Sequence, residues 1–152
     1  MPVQSAGLLI YRQRGHGLEV LLVHPGGPFW ARRDEGAWSI PKGEIARSED
    51  PLAAARREVA EELGWTPTGD ALPLTPIVQK AGKIVQAWAM RADWDPATLR
   101  SNTFELEWPR RSGRMQRFPE VDRAAWFPLA EARKRILPGQ LPLLAELEQV
   151  LA

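Results

Sequence analysis

The sequence predicts an α/β fold in which helices pack on both sides of one mixed β-sheet. Two pairs of β-rich runs are each separated by a short glycine-containing turn, which is typical of hairpins. Helical periodicity appears in the middle and at the end of the chain, and no linker or repeat divides it, so a single domain over residues 1–152 is expected. The predicted strands are residues 3–11, 18–24, 38–40, 73–79, 83–90 and 124–127, and the predicted helices are residues 51–63, 129–136 and 142–151.

The composition is that of an ordinary globular protein and excludes several kinds of site. Of 152 residues, 44% are apolar and 26% are charged, and the formal net charge of +1 gives no overall field that favours nucleic acid or an acidic membrane. The absence of cysteine excludes disulfides, thiolate zinc sites and thiol nucleophiles, and two histidines argue against a histidine-rich metal site. No apolar run approaches the roughly 20 residues of a membrane span, so a cytoplasmic protein without a membrane partner is expected.

The central predicted helix has clear start and stop signals. Asp50 is a favourable N-cap, Pro51 occupies the first helical position, where its missing N–H costs nothing, and Gly64 ends the helix. The apolar side chains fall on one stripe, by which the helix is expected to pack: Leu52, Ala55, Val59 and Leu63.

Three glutamates beside this stripe form the most informative pattern in the chain. Glu58, Glu61 and Glu62 occupy positions i, i+3 and i+4, where like charges repel by roughly 0.2–0.5 kcal/mol per pair. An acidic solvent-facing surface is the structural alternative, but a purely structural helix would usually place lysines among these positions. Carboxylate oxygens directed at one place suit a hard divalent cation such as Mg²⁺.

The segment that contains these glutamates, GEIARSEDPLAAARREVAEELGW (residues 43–65), resembles the Nudix box. That pattern is Gly-x5-Glu-x7-Arg-Glu-U-x-Glu-Glu-x-Gly-U, in which U is a bulky apolar residue. Every fixed position is met, and the one mild departure is Trp65, where the family more often has Ile, Leu or Val. The resemblance implies an α/β/α sandwich around a mixed β-sheet, and hydrolysis of a nucleoside diphosphate linked to another group.

The resemblance also implies a metal site. The family's divalent metals, normally Mg²⁺ or Mn²⁺, would be held here by Glu58, Glu61 and Glu62. The peptide carbonyl of Lys42, just before the box glycine, would be a further ligand.

Three more residues would position these ligands. Glu49 and Arg57 would form the pair that orients them, whereas an ordinary surface ion pair would be worth only about 0–1 kcal/mol. Gly43 would make the backbone turn that directs the preceding carbonyl at the metal, rather than serving as a simple loop glycine.

The reaction also needs a carboxylate that accepts a proton from the attacking water. Glu58 or Glu61 could do so within the box, and members of the family differ in where this base lies. Glu120 is the candidate outside the box, ahead of Glu105 and Glu107. The alternative for Glu120 is a solvated loop acid.

The long loop rich in glycine and proline before the box supplies candidate substrate contacts. Arg32, Arg33 and Lys42 could meet a polyphosphate, or could be solvated basic residues. Phe29 and Trp30 could stack on a base, or could anchor the loop to the fold.

Two other features are expected to be structural. His24, at a strand end, is interpreted as a hydrogen-bonding residue rather than a catalyst. A basic loop carries Arg110, Arg111 and Arg114 and is expected to be solvated, with polyphosphate binding as the less favoured alternative.

These patterns predict a metal-dependent hydrolase that cleaves a pyrophosphate bond, most consistently in a nucleoside triphosphate or a dinucleoside polyphosphate. The segment WSIPKG, residues 38–43, resembles a lead-in found in Nudix enzymes that act on dinucleoside polyphosphates and in some that remove oxidised nucleoside triphosphates. The alternative is a catalytically silent nucleotide- or RNA-binding Nudix module, although such modules usually lack a box glutamate and none is missing here. A nucleotide is the expected partner and no stable nucleic-acid complex is expected. A homodimer is a secondary expectation, because β-rich domains with exposed tryptophans often pair.

Overall fold

The computed structural model describes residues 3–152. Over this range the helices are α1 (Pro51–Leu63), α2 (Leu129–Arg135) and α3 (Leu141–Val150). The strands are β1 (Gln4–Arg14), β2 (Gly17–Pro25), β3 (Lys42–Glu44), β4 (Ala71–Pro73), β5 (Ile77–Val78), β6 (Ile84–Arg91), β7 (Thr103–Glu107), β8 (Met115–Pro119) and β9 (Val121–Pro128).

The main sheet is mixed. Its strands follow the order β4-β6-β1-β2-β9, with β3 pairing to β1 and β5 pairing to β6. Strands β1 and β6 are parallel along their whole shared length, whereas the other pairs are antiparallel. This parallel pair lies at the centre of the sheet and brings β6, far along the chain, beside the first strand.

Alternation along β1 divides the core between the two faces of the sheet. Leu8 and Ile10 have no exposed surface and belong to one apolar cluster with the buried side of α1, while Leu9 belongs to a second cluster with α2 and α3. Successive side chains of a strand point to opposite faces, so one strand supplies both clusters. The predicted α/β/α sandwich is therefore confirmed.

The signals at both ends of α1 act as expected. The Asp50 carboxylate accepts a 3.0 Å hydrogen bond from the backbone N–H of Ala53, and Gly64 adopts the left-handed conformation with φ 74°. The helix packs through Ala54, Ala55, Val59 and Leu63. Among residues 3–152, no helix is both long enough and apolar enough to cross a membrane.

Trp65, the mild departure from the box pattern, has a specific partner. Its ring stacks on that of Trp94 with centroids 5.4 Å apart and planes 10° from parallel. Both rings pack against the α1 side of the core. The larger side chain therefore covers the C-terminal end of α1, where the family usually has an aliphatic residue.

Residues 38–40 do not form the predicted strand. Ser39 and Val23 exchange two backbone hydrogen bonds of 2.8 and 3.0 Å, whereas the N–H of Trp38 donates to the carbonyl of Arg135 at 2.9 Å. The segment thus pairs with a different neighbour at each residue. Its apolar character reflects burial rather than membership of a strand.

The predicted hairpin of residues 73–79 and 83–90 is present but interrupted. The first run divides into β4 and β5, both antiparallel to β6. Pro76 lies between them and has no N–H to donate to the ladder, which accounts for the break.

No sequence pattern predicts β7 and β8, which form a separate two-stranded sheet. Neither strand contains a fully buried residue, and the alternation of apolar with polar side chains seen at Phe104 and Leu106 of β7 does not continue through β8. The hydrophobic signal that identifies the other strands is therefore weak in this hairpin.

Candidate active site

The carboxylate of Glu58 lies directly against Gly43. Strand β3 runs along β1 and passes α1, and any Cβ at Gly43 would overlap the side-chain carboxyl of Glu58. The box glycine is therefore needed for close approach of β3 to the helix, in addition to any role in the turn. The neighbouring Lys42 begins β3, opposite Gly7 of β1.

The guanidinium of Arg57 contacts three carboxylates, whereas the sequence predicted only its pair with Glu49. Its Nε and Nη2 donate to the two oxygens of Glu49 at 2.8 and 3.0 Å, and its Nη1 donates to Glu58 at 2.8 Å and to Glu61 at 3.2 Å. Glu49 also accepts a 2.9 Å hydrogen bond from the backbone N–H of Ala46. The Arg57 hydrogen bonds, aided by that backbone N–H, lower the pKa of Glu49 to about 2. The guanidinium therefore links the loop before α1 to two of the predicted metal ligands.

Two of the box glutamates carry negative charge that the surrounding protein disfavours. Burial, together with the charge of Glu58, raises the pKa of Glu62 to about 8. Burial also raises the pKa of Glu58 above its ordinary value, despite the opposing hydrogen bond from Arg57. The charge of Glu120 adds to both effects, which places this loop carboxylate near the two box glutamates.

The donor set fits a divalent cation, although the side chains do not converge on one point. In the part of the chain that the structure describes, no three Asp, Glu, His or Cys side chains are grouped closely enough to share an ion. Glu58 and Glu61 instead point to Arg57. Buried carboxylates that repel one another are stabilised by a cation, and oxygen ligands suit Mg²⁺ or Mn²⁺. Metal ligation by Glu58, Glu61, Glu62 and the Lys42 carbonyl stays a prediction.

A cavity of about 220 Å³ lies beside these carboxylates. Glu62, Glu120, Lys42 and Trp30 contribute polar and aromatic parts of its wall, and the remaining lining is mainly apolar. Glu120 is fixed there by its backbone, which accepts from the N–H of Gly26 at 2.9 Å. The weaker candidates lie elsewhere: Glu105 is 3.7 Å from Arg117, and Glu107 accepts from backbone N–H groups in the β7–β8 loop.

A second cavity of about 610 Å³ adjoins the first and shares Trp30 and Lys42 with it. Its lining also includes Arg33, Lys80 and Lys83, and no carboxylate belongs to that lining. Burial lowers the pKa of Lys42, and although the charge of Glu62 opposes this, the charge of Lys83 adds to it. This lysine- and arginine-lined cavity, here called the cationic cleft, therefore holds positive charges that repel one another.

Sequence reasoning missed Lys80 and Lys83. They flank the turn between β5 and β6, a position at which exposed lysines are common. Only the parallel pairing of β6 with β1 brings this turn beside Lys42, and no local pattern carries that information.

The predicted substrate loop has mixed placements. Trp30 lines both cavities, and the Arg33 guanidinium lies 5.4 Å from the centre of the Trp30 ring. Phe29 is 45% exposed and contacts Trp108 edge-on, with ring centroids 5.3 Å apart. Arg32 is exposed and lines neither cavity.

His24 anchors this loop, as expected of a structural hydrogen-bonding residue. Its ring is fully buried, with Nδ1 2.8 Å from Asp122 and Nε2 2.6 Å from the carbonyl oxygen of Arg33. The imidazole thus connects β2 to β9 and to the segment that carries Trp30.

Comparison with known proteins identifies the family. The family model described as NUDIX domain matches residues 1–147, and the chain belongs to the Nudix family. Its curated relatives include RNA pyrophosphohydrolases of Rhodospirillum rubrum, 44% identical over 66 residues, and of Roseobacter denitrificans, 27% identical over 128 residues. The first match covers 41% of this chain and 38% of the Rhodospirillum protein, and the second covers 70% and 71% of the two chains.

Solved structures show the same fold. A binary complex of a C. elegans Ap4A hydrolase is 24% identical, with a TM-score of 0.67 and 97% of each chain covered. The NUDIX domain of Shewanella oneidensis NrtR, complexed with ADP ribose, is 17% identical, with a TM-score of 0.67 over 100% of this chain and 90% of that one. At these identities the likeness is one of fold.

Proposed function

We propose that this protein is a divalent-metal-dependent hydrolase that cleaves a pyrophosphate bond in a nucleoside tri- or polyphosphate. One observation carries the proposal. The carboxylates of Glu62 and Glu120 line a cavity that adjoins the cationic cleft, and the partly buried carboxylate of Glu58 lies close enough to raise the pKa of Glu62. A cation bound by these acids, beside the lysines of the cationic cleft, is an arrangement suited to a chain of phosphates.

The residues would divide the work as follows. Glu58, Glu61, Glu62 and the carbonyl of Lys42 would hold the metal, and Glu49 and Arg57 would orient the glutamates. The bound cation would neutralise phosphate charge and lower the pKa of the attacking water. Glu120, Glu58 or Glu61 would accept the proton from that water as it attacks phosphorus and the phosphoanhydride P–O bond breaks.

The cationic cleft bears on the class of substrate. Lys42 lines both cavities, whereas Lys80 and Lys83 line only the cationic cleft. Phosphates beyond the cleaved bond would lie among these cations, and Trp30 or Phe29 would stack on a base. Two of the similar proteins are named RNA pyrophosphohydrolase and Ap4A hydrolase, and both names are in keeping with a nucleotide substrate that contains linked phosphates, the class in which we place the substrate of this chain.

A substrate panel with Mg²⁺ and with Mn²⁺ tests the proposal. It should contain nucleoside triphosphates, dinucleoside polyphosphates, 5′-triphosphorylated RNA and nucleotide sugars, with the products separated by chromatography. We expect the wild-type protein to hydrolyse a tri- or polyphosphate. This activity should be lost when a chelator is added and in the Glu62→Gln variant. Glu148→Gln, an exposed acid on α3, is the matched control and should retain activity. A folded wild-type protein that hydrolyses none of these substrates would exclude the proposed activity.

A silent binding module is the second candidate, favoured by the contacts of Arg57. Because its guanidinium donates to both Glu58 and Glu61, two predicted ligands already have a positively charged partner. A module of this kind would bind a nucleotide with the same affinity in Mg²⁺ and in chelator, and would release no product. Calorimetric titration with a non-hydrolysable triphosphate, with and without Mg²⁺, separates the two candidates.

A further inference from the structure

The β7–β8 hairpin, with its connecting loop, forms a two-stranded sheet that is separate from the main sheet. We call residues 103–119 the hairpin arm. Its two strands pair over five residues each, from Thr103 opposite Pro119 to Glu107 opposite Met115. At about 3.4 Å per residue the arm is roughly 17 Å long. It belongs neither to the main sheet nor to either apolar cluster.

The base of the arm is attached to the catalytic region by backbone hydrogen bonds. The N–H of Asn102 donates to the carbonyl of Glu61 at 2.9 Å, and the N–H of Glu120 donates to the carbonyl of Asn102 at 2.8 Å. Gly26 in turn donates to Glu120. The arm therefore begins and ends at the residues that surround the carboxylates.

Aromatic contacts hold the arm against the substrate loop. The Phe104 ring lies where a Cβ on Gly27 would touch it, and Trp108 meets Phe29 edge-on. The guanidinium of Arg110 lies 5.3 Å from the centre of the Phe29 ring. Phe29, which contacts the arm, directly precedes Trp30, which lines both cavities, so the arm is linked to the cavities through this loop.

The tip of the arm carries an excess of positive charge. Arg110, Arg111 and Arg114 are all exposed, and across residues 3–152 no carboxylate lies within 4.0 Å of their guanidinium groups. The nearest acid in sequence, Glu107, uses its two oxygens to accept from the backbone N–H groups of Arg111 and Gly113. With a net charge of only +1 for the chain, this is a local concentration of charge.

We propose that the hairpin arm binds the single-stranded RNA chain of a 5′-triphosphorylated substrate, downstream of the end that enters the cavity. This inference rests on the proposed function for the identity of that end. The arginines would contact successive phosphates, and Phe29 and Trp108 would stack on unpaired bases without reading their identity. Three cations give a weak, salt-sensitive association, in keeping with the expectation that no stable nucleic-acid complex forms.

Binding that does not depend on catalysis is the first test. A fluorescently labelled single-stranded RNA of about 20 nucleotides with a 5′-hydroxyl is titrated at low salt and followed by anisotropy. Replacing Arg110, Arg111 and Arg114 together by Ala should weaken binding about tenfold or more and reduce the salt slope by about 2. The matched control removes the same charge from other exposed positions, as Arg14→Ala, Arg91→Ala and Arg133→Ala together. Equal affinity for wild type and the arm variant, both folded by thermal unfolding, would overturn the inference.

Kinetics then separate this inference from the proposed function. The arm variant should lose far more kcat/KM on 5′-triphosphorylated RNA than on a nucleoside triphosphate, mainly through KM. If the arm variant hydrolyses both substrates with no selective loss of kcat/KM on RNA, the RNA-binding role of the arm is wrong, whereas the proposed hydrolase activity is supported. If RNA binding depends on the arm but no substrate is hydrolysed, the proposed hydrolase activity is wrong instead. If an acidic polypeptide or a blunt RNA duplex competes as well as single-stranded RNA, the arm binds another partner and the inference is wrong.

Discussion

The guanidinium of Arg57 holds the carboxylate of Glu49 through two hydrogen bonds, 2.8 Å from Nε to Oε2 and 3.0 Å from Nη2 to Oε1. The remaining nitrogen, Nη1, donates to Glu58 and Glu61. Because one planar group bonds all three acids, the position of Glu49 in the loop fixes the orientation of the carboxylates on the helix. Arg57 is thereby a positioning residue for the proposed metal site.

Glu49→Gln should therefore lower activity without abolishing it. The amide keeps one acceptor oxygen but loses the bidentate charged contact, and a 10–100-fold decrease in kcat is expected, roughly as for other changes behind a metal ligand. A loss no larger than that in the exposed control Glu35→Gln would contradict the role of Glu49.

The same substitution should change the pH dependence of stability. The folded-state pKa of Glu49 is lowered to about 2, so its contribution to stability is present above the unfolded value near 4.5 and is lost as the pH falls toward 2. Urea unfolding should show wild type more stable than Glu49→Gln at pH 6, with the difference shrinking steadily below pH 5. A difference independent of pH would show that the ion pair is not its cause.

Gly43→Ala should disable the site with little effect on the rest of the fold. The added methyl group would overlap the carboxyl of Glu58, so either the side chain or β3 must move. A displacement of about 1 Å in a positioned group can cost roughly 100-fold in rate. Gly15→Ala is the matched control, since a Cβ there meets no atom within 4 Å. Comparable kcat/KM values for the two variants would contradict the close packing of β3 on α1.

Glu62→Gln should stabilise the metal-free protein at alkaline pH. Burial raises the folded-state pKa of Glu62 to about 8, so the stability associated with its proton is present below the unfolded value and is lost as the pH rises through 8. In EDTA, thermal unfolding should give similar Tm values at pH 5 and a higher Tm for Glu62→Gln at pH 9, where the free energy of unfolding should differ by an amount on the order of a few kcal/mol. Mg²⁺ should raise the Tm of wild type and have less effect on the variant. The reverse order at pH 9 would show that the carboxylate is already compensated within the protein.

His24→Leu should loosen the substrate loop. The change removes a buried donor, leaving the Arg33 carbonyl without its 2.6 Å contact and Asp122 without its 2.8 Å contact, at a cost of about 2–3 kcal/mol. His16→Leu serves as the control, because that ring is 71% exposed and its contact with Glu19 is a surface pair. Denaturant unfolding and limited proteolysis near Arg33 measure the two effects, and equal stability of both variants would exclude the anchoring role.

Local sequence signals were sufficient for α1 and its surroundings. Asp50 and Gly64 delimit the helix through short-range capping, and the order of Glu58, Glu61 and Glu62 follows from helical geometry. The relation of Glu49 to Arg57 was implied by the resemblance to the Nudix box rather than by local geometry. These features depend on residues close together in the chain.

Features that depend on pairing between distant parts of the chain could not be predicted from local sequence signals. The cationic cleft exists because β6 lies parallel to β1, which carries Lys80 and Lys83 to Lys42 across about forty intervening residues. The hairpin arm has two five-residue strands without a fully buried residue, and its apolar alternation is confined to β7. Its relation to Phe29 arises from tertiary contacts alone.

The stacked rings of Trp65 and Trp94 provide an intrinsic optical probe. Indoles 5.4 Å apart and nearly parallel share their electronic excitation, and this produces a circular dichroism signal that depends on their mutual orientation. Trp65 lies just after the helix that carries the box glutamates. Trp94 lies just after β6, at the start of the segment that connects β6 to the hairpin arm. Movement of the helix end relative to that segment during ligand binding can thus be followed spectroscopically in the unlabelled protein, with Trp94→Phe to assign the signal.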